Sequence, residues 1–189
     1  MDKKIEDILK LKRINKLKFV ERRNSVGERK ESPAEHSWSC LIIADYFIDK
    51  IKQKLDKLKV YNLLIYHDLV EIESGNIPID SKDYVRDNTK KETLAAKVLE
   101  KKLPFNINNK FSEIFREYQN QKTIESKFAK AVNVLDPIIL GLDHKAKWKG
   151  LSEEFLYRHK EGTLIEFPVM REYFHALMDY CESEGYFNQ

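Results

Sequence analysis

An all-α single domain is the fold class this sequence predicts, and three observations predict it. Only 6 Gly and 5 Pro punctuate 189 residues. Strand-like alternation of apolar and polar residues is nearly absent, and apolar residues recur at three- and four-residue spacing along most of the chain. The length fits one hydrophobic core and leaves little room for a second, so residues 1–189 are read as one helical bundle.

The elements follow in order. Ile5, Ile8, Leu9, Leu11 and Ile14 loosely trace one face of a first helix from Ile5 to Val20, and the polar stretch Arg22 to Ser32 reads as a loop. Ser32-Pro33-Ala34-Glu35 then signals a helix start, with a capping serine, proline at the first helical position and glutamate at the third. Trp38, Leu41, Ile42, Asp45 and Ile48 follow at helical spacing. A third helix, about Leu58 to Glu73, places Tyr61, Leu64, Ile65, Leu69 and Ile72 on one face and stops at Ser74-Gly75-Asn76. Ile77 to Asn88, containing Pro78, is the longest loop, and helices follow over Thr89–Lys102 and Asn108–Asn120. Thr123 caps the next helix, whose apolar face is Phe128, Val132, Leu135 and Ile139, with Pro137 expected to kink it. A linker, Lys145 to Gly150, leads to a short helix capped by Ser152. The last helix carries Phe167, Met170, Phe174, Leu177, Met178 and Cys181.

Composition excludes several classes. The formal charge is +3, from 34 Lys and Arg against 31 Asp and Glu, and the signs are interspersed. That is not the footprint of a nucleic-acid binder. No apolar run approaches the roughly 18 residues of a membrane span, and Met1 to Lys18 is charged and amphipathic rather than a signal peptide. Cys40 and Cys181 fall inside helical patterns and read as buried, reduced thiols of a cytoplasmic protein.

The informative positions are polar residues on apolar faces. Asp68 lies among Leu64, Ile65, Leu69 and Ile72, with His67 beside it. A buried carboxylate without a partner costs several kcal/mol, about 3–5, so Asp68 needs a cation. Either an arginine supplies it, with His67 a satisfied core histidine, or a metal does. The anomaly recurs at Asp136, among Val132, Leu135 and Ile139, and at His36 in the first turn of its helix. Two imidazoles and two carboxylates from three helices make a mixed nitrogen and oxygen set suited to one divalent ion such as Mn, Co, Fe, Mg or Zn. Four protein ligands in an octahedral shell leave about two positions for water or substrate.

Three sequence words carry a resemblance: Glu31-Ser32-Pro33-Ala34-Glu35-His36-Ser37-Trp38, then Tyr66-His67-Asp68-Leu69-Val70-Glu71, then Lys127-Phe128-Ala129-Lys130 leading to Leu135-Asp136-Pro137. They resemble the HD-domain metal-dependent phosphohydrolases, in particular the 5′-deoxynucleotidase-like branch, over nearly the whole chain. The resemblance implies a helical bundle of the HD type, a phosphomonoesterase acting on nucleotides or another small phosphate ester, and a homodimer. It implies metal ligands His36, His67, Asp68 and Asp136, and Glu71 as general acid or base. It also implies phosphate contact by Arg22, with neighbouring Arg23 a rival, and a pocket lined by Arg29 and Glu31. Where the branch commonly has Gly-Asp, this chain has Gly75-Asn76; Asn76 can hydrogen-bond substrate but cannot take a proton, and Glu73 or Asp80 could substitute. His144, two turns beyond Asp136, could approach the site, whereas His159 and His175 read as surface or interhelical residues. The alternatives are hydrolysis of another phosphate ester or a nucleoside polyphosphate, and a regulatory metal and nucleotide binder that has lost turnover.

Overall fold

Side-chain caps start most of the helices. The computed structural model describes residues 1–76 and 84–187. In it Asp2, Ser32, Asp56, Thr123 and Ser152 each accept a backbone N–H from the first turn they precede. The helices they open are α1 (Lys3–Lys12), α2 (Pro33–Ile48), α3 (Lys57–Tyr66), α7 (Ile124–Gly141) and α8 (Glu153–Lys160). The others are α4 (Glu71–Ser74), α5 (Tyr84–Glu100), α6 (Phe105–Asn120) and α9 (Pro168–Ser183). At Ser32 the full capping box forms, with the Glu35 side chain returning to the Ser32 N–H at 2.9 Å. The all-α reading holds among the described residues, apart from one short hairpin.

That hairpin corrects the loop expected between Arg22 and Ser32. Two-residue strands β1 (Ser25–Val26) and β2 (Arg29–Lys30) pair antiparallel. The pairing extends outward: the Arg22 N–H donates to Glu31 O at 2.8 Å and the Glu31 N–H to Asn24 O at 2.9 Å. Arg22 and Glu31 are thereby held side by side. Asn24 Nδ2 donates to Pro137 O at 3.1 Å, tying the hairpin to α7.

The core is built where α2, α3 and α7 pack on one another. Cys40, Ala44 and Phe47 of α2 meet Val60, Leu63 and Leu64 of α3 and Phe128, Ala129, Val132 and Leu135 of α7. Phe167, Met170, Phe174, Met178 and Cys181, all expected on the last helix, are completely buried. Phe167 meets Phe128 edge-on. A smaller apolar cluster joins Leu17, Leu69 and Val70 to Leu99, Phe111 and Phe115.

Several expectations require correction. The first helix ends at Lys12 and continues as a 3₁₀ segment, Arg13–Phe19. Of the residues spaced along α2, Trp38 and Ile42 face outward, 66% and 58% exposed, Leu41 and Ile48 pack against the core, and His36, Ser37, Cys40, Ala44 and Phe47 are buried. Helix α2 is apolar nearly all round, so periodicity could not choose a face, and small Cys40 and Ala44 let α2 approach its neighbours closely. The third helix is broken. After Tyr66 the amide bonds tighten to three-residue spacing, with Leu69 N–H to Tyr66 O, Glu71 N–H to Asp68 O and Ile72 N–H to Leu69 O, before α4 resumes. Lys145–Gly150 is mostly a 3₁₀ segment, Leu142–Trp148, rather than a linker. Helix α5 starts at Tyr84, inside the stretch expected as a loop, and residues 77–83, Pro78 and Asp80 among them, lie outside the described residues.

Ser32→Ala removes the hydroxyl half of the capping box one turn ahead of His36. It should lower stability by about 1 kcal/mol in urea unfolding; an unchanged unfolding midpoint would show that the box contributes nothing.

Candidate metal centre

The tightened turn after α3 sets the geometry of the site. In 3₁₀-type spacing residues three apart eclipse, so Asp68 and Glu71 fall on one line, and Asp68 reaches His36 of α2. His67, 3% exposed, donates Nδ1–H to Leu64 O at 2.9 Å. That bond leaves the Nε2 lone pair free, and among buried side-chain atoms His67 Nε2 has no hydrogen-bond partner. Burial pushes the His67 pKa down to about 4, against the opposing pull of Asp68, so the imidazole is neutral at physiological pH. A neutral, buried imidazole with an unsatisfied lone pair is the protein side of a metal bond.

His67 Nε2 lies 3.2 Å from Asp68 Oδ1, and His36 Nε2 lies 3.8 Å from Asp68 Oδ2. Ligand atoms of His36, His67 and Asp68 all fall within 4.8 Å of one another, as do those of His36, Cys40 and Asp136. The first group includes the partly exposed Asp68, whereas the second is fully buried. Burial also raises the Cys40 thiol well above its ordinary value, with Asp136 adding to the effect, so it stays protonated. The three-residue group around Asp68 is the one open to substrate, and its donors fit a divalent ion. Asp136, expected as fourth ligand, approaches His36 from the other edge of the ring, with Oδ2 2.5 Å from Nδ1. Its Oδ1 accepts the Ser39 hydroxyl.

Asp68 also has the arginine that the simpler reading required. Arg22 donates to Asp68 Oδ2 at 3.0 Å and to Glu31 Oε2 at 3.1 Å. Burial works against the Arg22 charge, but Asp68 and Glu31 outweigh it and raise its pKa. The arginine does not satisfy His67, so the ion pair and a metal reading stand together. Arg22 is therefore the arginine that meets Asp68, whereas Arg23 lines a cavity beyond Pro137. Glu31 is 2% exposed and anchors Arg22 instead of lining a pocket, as had been expected. Arg29 is not brought to the site either; its guanidinium, largely exposed, pairs with Glu35.

Glu71 is 8% exposed. Its Oε1 accepts from Asn76 Nδ2 at 2.8 Å, and its Oε2 is buried without a partner. Burial first, then the Asp68 charge, pushes its pKa up to about 9, with Arg22 and Asn76 pulling the other way. Asn76 therefore supports Glu71. Glu73 cannot substitute for an acid there, being held by Arg13 at 2.8 Å and Lys102 at 2.6 Å, and Asp80 lies outside the described residues.

Residues not singled out from the sequence complete the surroundings. Asn133 Oδ1 is 2.9 Å from His36 Nε2, and Asn133 Nδ2 donates to the Tyr118 hydroxyl at 2.6 Å. The Tyr118 ring packs on His67 at 5.2 Å between centroids. Burial lowers the Lys130 pKa against the pull of Asp68. It pushes Lys160 down to about 8, with Lys130 and Arg22 adding to the effect. Only the position of Lys130 within the third sequence word hinted at any of these. A cavity of about 380 Å³ lies beyond Pro137, walled by Ile138, Trp148 and Phe155, with Lys160, Lys147 and His144 on its lining. His144 thus faces that cavity. His159 bonds its own helix through Phe155 O, and His175 pairs with Glu161.

The HD domain family profile matches residues 14–167. The chain belongs to the HD domain family. It is 27% identical over 138 residues to the 5′-deoxynucleotidase HDDC2 of Xenopus laevis, covering 71% of this chain and 67% of that one. The human HDDC2 is 24% identical over 160 residues, 83% of this chain and 72% of its own. Among solved structures, a predicted metal-dependent phosphohydrolase of Magnetospirillum magnetotacticum superposes with a TM-score of 0.85 at 25% identity, covering 96% of this chain and 94% of that one. Together with the histidine and aspartate cluster, this makes the protein an HD-domain metal-dependent phosphohydrolase.

The raised Glu71 pKa sets a pH dependence. Between its ordinary value of 4.5 and about 9, folded Glu71 keeps a proton that the unfolded chain has released. Stability of the metal-free protein therefore declines as pH rises through that window. Glu71→Gln should gain thermal stability over wild type progressively from about pH 5 to about pH 9, with no gain near pH 4. Parallel melting profiles across that range would contradict the assignment.

Proposed function

We propose that the protein removes the 5′-phosphate from deoxyribonucleoside or ribonucleoside monophosphates with the help of one divalent ion. The observation that carries this is the unsatisfied Nε2 of buried His67, aimed at Asp68 beside a cluster of cations. The relatives named as 5′-deoxynucleotidases support the substrate class. His36, His67 and Asp68, with Asp136 behind or beside them, would hold the ion, which supplies Lewis acidity and a water of lowered pKa.

The chain's own groups do the rest. Arg22, braced by Glu31, presents a fixed planar fork to phosphate oxygens. Lys130 and Lys160 add positive charge where the phosphate's negative charge must be balanced. Glu71 holds a proton on a carboxyl oriented by Asn76, and can pass it to the departing 5′-oxygen. Burial around Glu71 and His67 restricts water other than the attacking one.

A cytoplasmic location is proposed on the two free, buried cysteines, and no described helix is long and apolar enough to cross a membrane. A homodimer is proposed as well. The outward stripe Trp38, Ile42 and Tyr46 on α2 leaves 66%, 58% and 51% of those side chains exposed, an apolar face that a second copy would cover.

Phosphate release from a panel of nucleoside mono-, di- and triphosphates with added Mn²⁺ or Co²⁺ tests the reading. Release is expected from 5′-monophosphates. Glu71→Gln should reduce it by roughly two to four orders of magnitude while metal content is kept. Preference for a di- or triphosphate would move the protein to the polyphosphate reading. No release from any of them, with metal bound, would leave only a binder.

A further inference from the structure

We propose that the cavity beyond Pro137 is a second binding site, distinct from the metal centre, for a small acid with a flat aromatic body. The site stands independently of the reaction proposed above, since its walls and its charges are its own.

Two elements divide the cavity from the centre. At the start of the hairpin Arg22 turns to Asp68, while Arg23 beside it lines the cavity. On α7 Asp136 meets His36, while Pro137 beside it lines the cavity. Asn24 Nδ2 donates to Pro137 O at 3.1 Å and ties the two halves of this partition together. His36, His67, Asp68 and Glu71 are not part of the lining.

The walls are apolar and already in place. Ile138, Leu140, Trp148, Leu151, Phe155 and Leu156 form them. Trp148 is the fixed part: its Nε1 donates to Gly141 O at 2.9 Å, and its ring packs edge-on with Tyr186 and Phe187. A Cβ at residue 141 would come within 3.1 Å of that nitrogen, so the glycine is what lets the indole lie against the end of α7. At about 380 Å³ the cavity falls in the size range of small-molecule sites, about 300–1,000 Å³. A wall that is ordered beforehand adds little entropic cost to binding.

The charges on the lining are of one kind. Arg23, Lys30, His144, Lys147 and Lys160 are all basic, and among the described residues no Asp or Glu lines the cavity, in a chain that has 31 of them. Burial, then Lys130 and Arg22, push the Lys160 pKa down to about 8, and no acidic group opposes them. Basic groups over apolar walls are complementary to a molecule with an apolar body and one anionic end. The other polar side chains are taken: Asn24 by Pro137 O, and the Ser25 hydroxyl by Lys147. Nothing is left to read sugar hydroxyls or the edges of a base, which favours a compact aromatic acid over a nucleotide.

Binding of the fluorescent aromatic acid anilinonaphthalenesulfonate tests this. The chain has two tryptophans, so Trp38→Phe leaves Trp148 as the only one, and energy transfer from it locates the probe. One probe per chain should bind and quench Trp148, and the neutral phenylnaphthylamine should bind about tenfold or more weakly. Lys30→Glu and Lys147→Glu together, at exposed positions and with circular dichroism confirming the fold, should weaken the acid about tenfold or more and leave the neutral probe unchanged. Naphthoate should displace the probe, whereas inorganic phosphate with Mn²⁺, or deoxyadenosine monophosphate, should not. Absence of transfer from Trp148, equal affinity for the two probes, wild-type binding in the double variant, or displacement by phosphate or the nucleotide would each overturn the assignment. The assay needs neither bound metal nor turnover, so its failure would leave the phosphohydrolase reading standing, and a protein without turnover would leave this one standing.

Discussion

Two buried histidines set against one aspartate are the constraint on which the rest of the structure depends. His67 gives its Nδ1 proton to a backbone carbonyl and His36 turns Nδ1 toward a carboxylate. His67 Nε2 is left without a hydrogen-bond partner beside Asp68, and His36 Nε2 lies between Asp68 and Asn133 Oδ1. A buried carboxylate beside them needs a cation, and Arg22 meets one of its oxygens. The packing of α2, α3 and α7 is arranged around that need, since each of the three helices or its continuation delivers one side of the cluster.

The same economy runs outward. The hairpin exists as a bracket: its extended pairing sets Arg22 against Glu31, and Glu31 against Arg22 sets the guanidinium on Asp68. Asn76 donates to Glu71, Asp136 meets His36 and Asn133 donates to Tyr118. Reactive groups are thus each held by a second polar group whose own position comes from a helix or a turn. Catalytic groups positioned on such elements lose little freedom when substrate arrives.

Much of this was legible in the sequence, and what was not has specific causes. The Ser32 capping box, the last helix and its buried face, and the polar interruptions at His36, Asp68 and Asp136 could all be read directly, because each breaks or completes a pattern. The buried face of α2 could not, because Trp38 and Ile42 are as apolar as the residues that are buried. The break after Tyr66 carries no Gly or Pro, so nothing in the residue types announced a tightening that only the hydrogen bonds show. Arg29 and Glu31 looked equivalent in the sequence, yet strand pairing turns one outward to Glu35 and the other inward to Arg22. Asn133 escaped notice because an asparagine on a helix face is unremarkable until a histidine nitrogen is found beside it. Asp136 was visible, but which edge of an imidazole it meets is a matter of a few ångströms that no spacing rule resolves.

The most direct test of the central claim is a crystal of the protein grown with Mn²⁺, with anomalous diffraction measured at the manganese edge. The account predicts one strong anomalous peak between the Nε2 atoms of His36 and His67 and the carboxylate of Asp68. A peak on the Nδ1 side of His36 beside Cys40, or none at full manganese saturation, would contradict it.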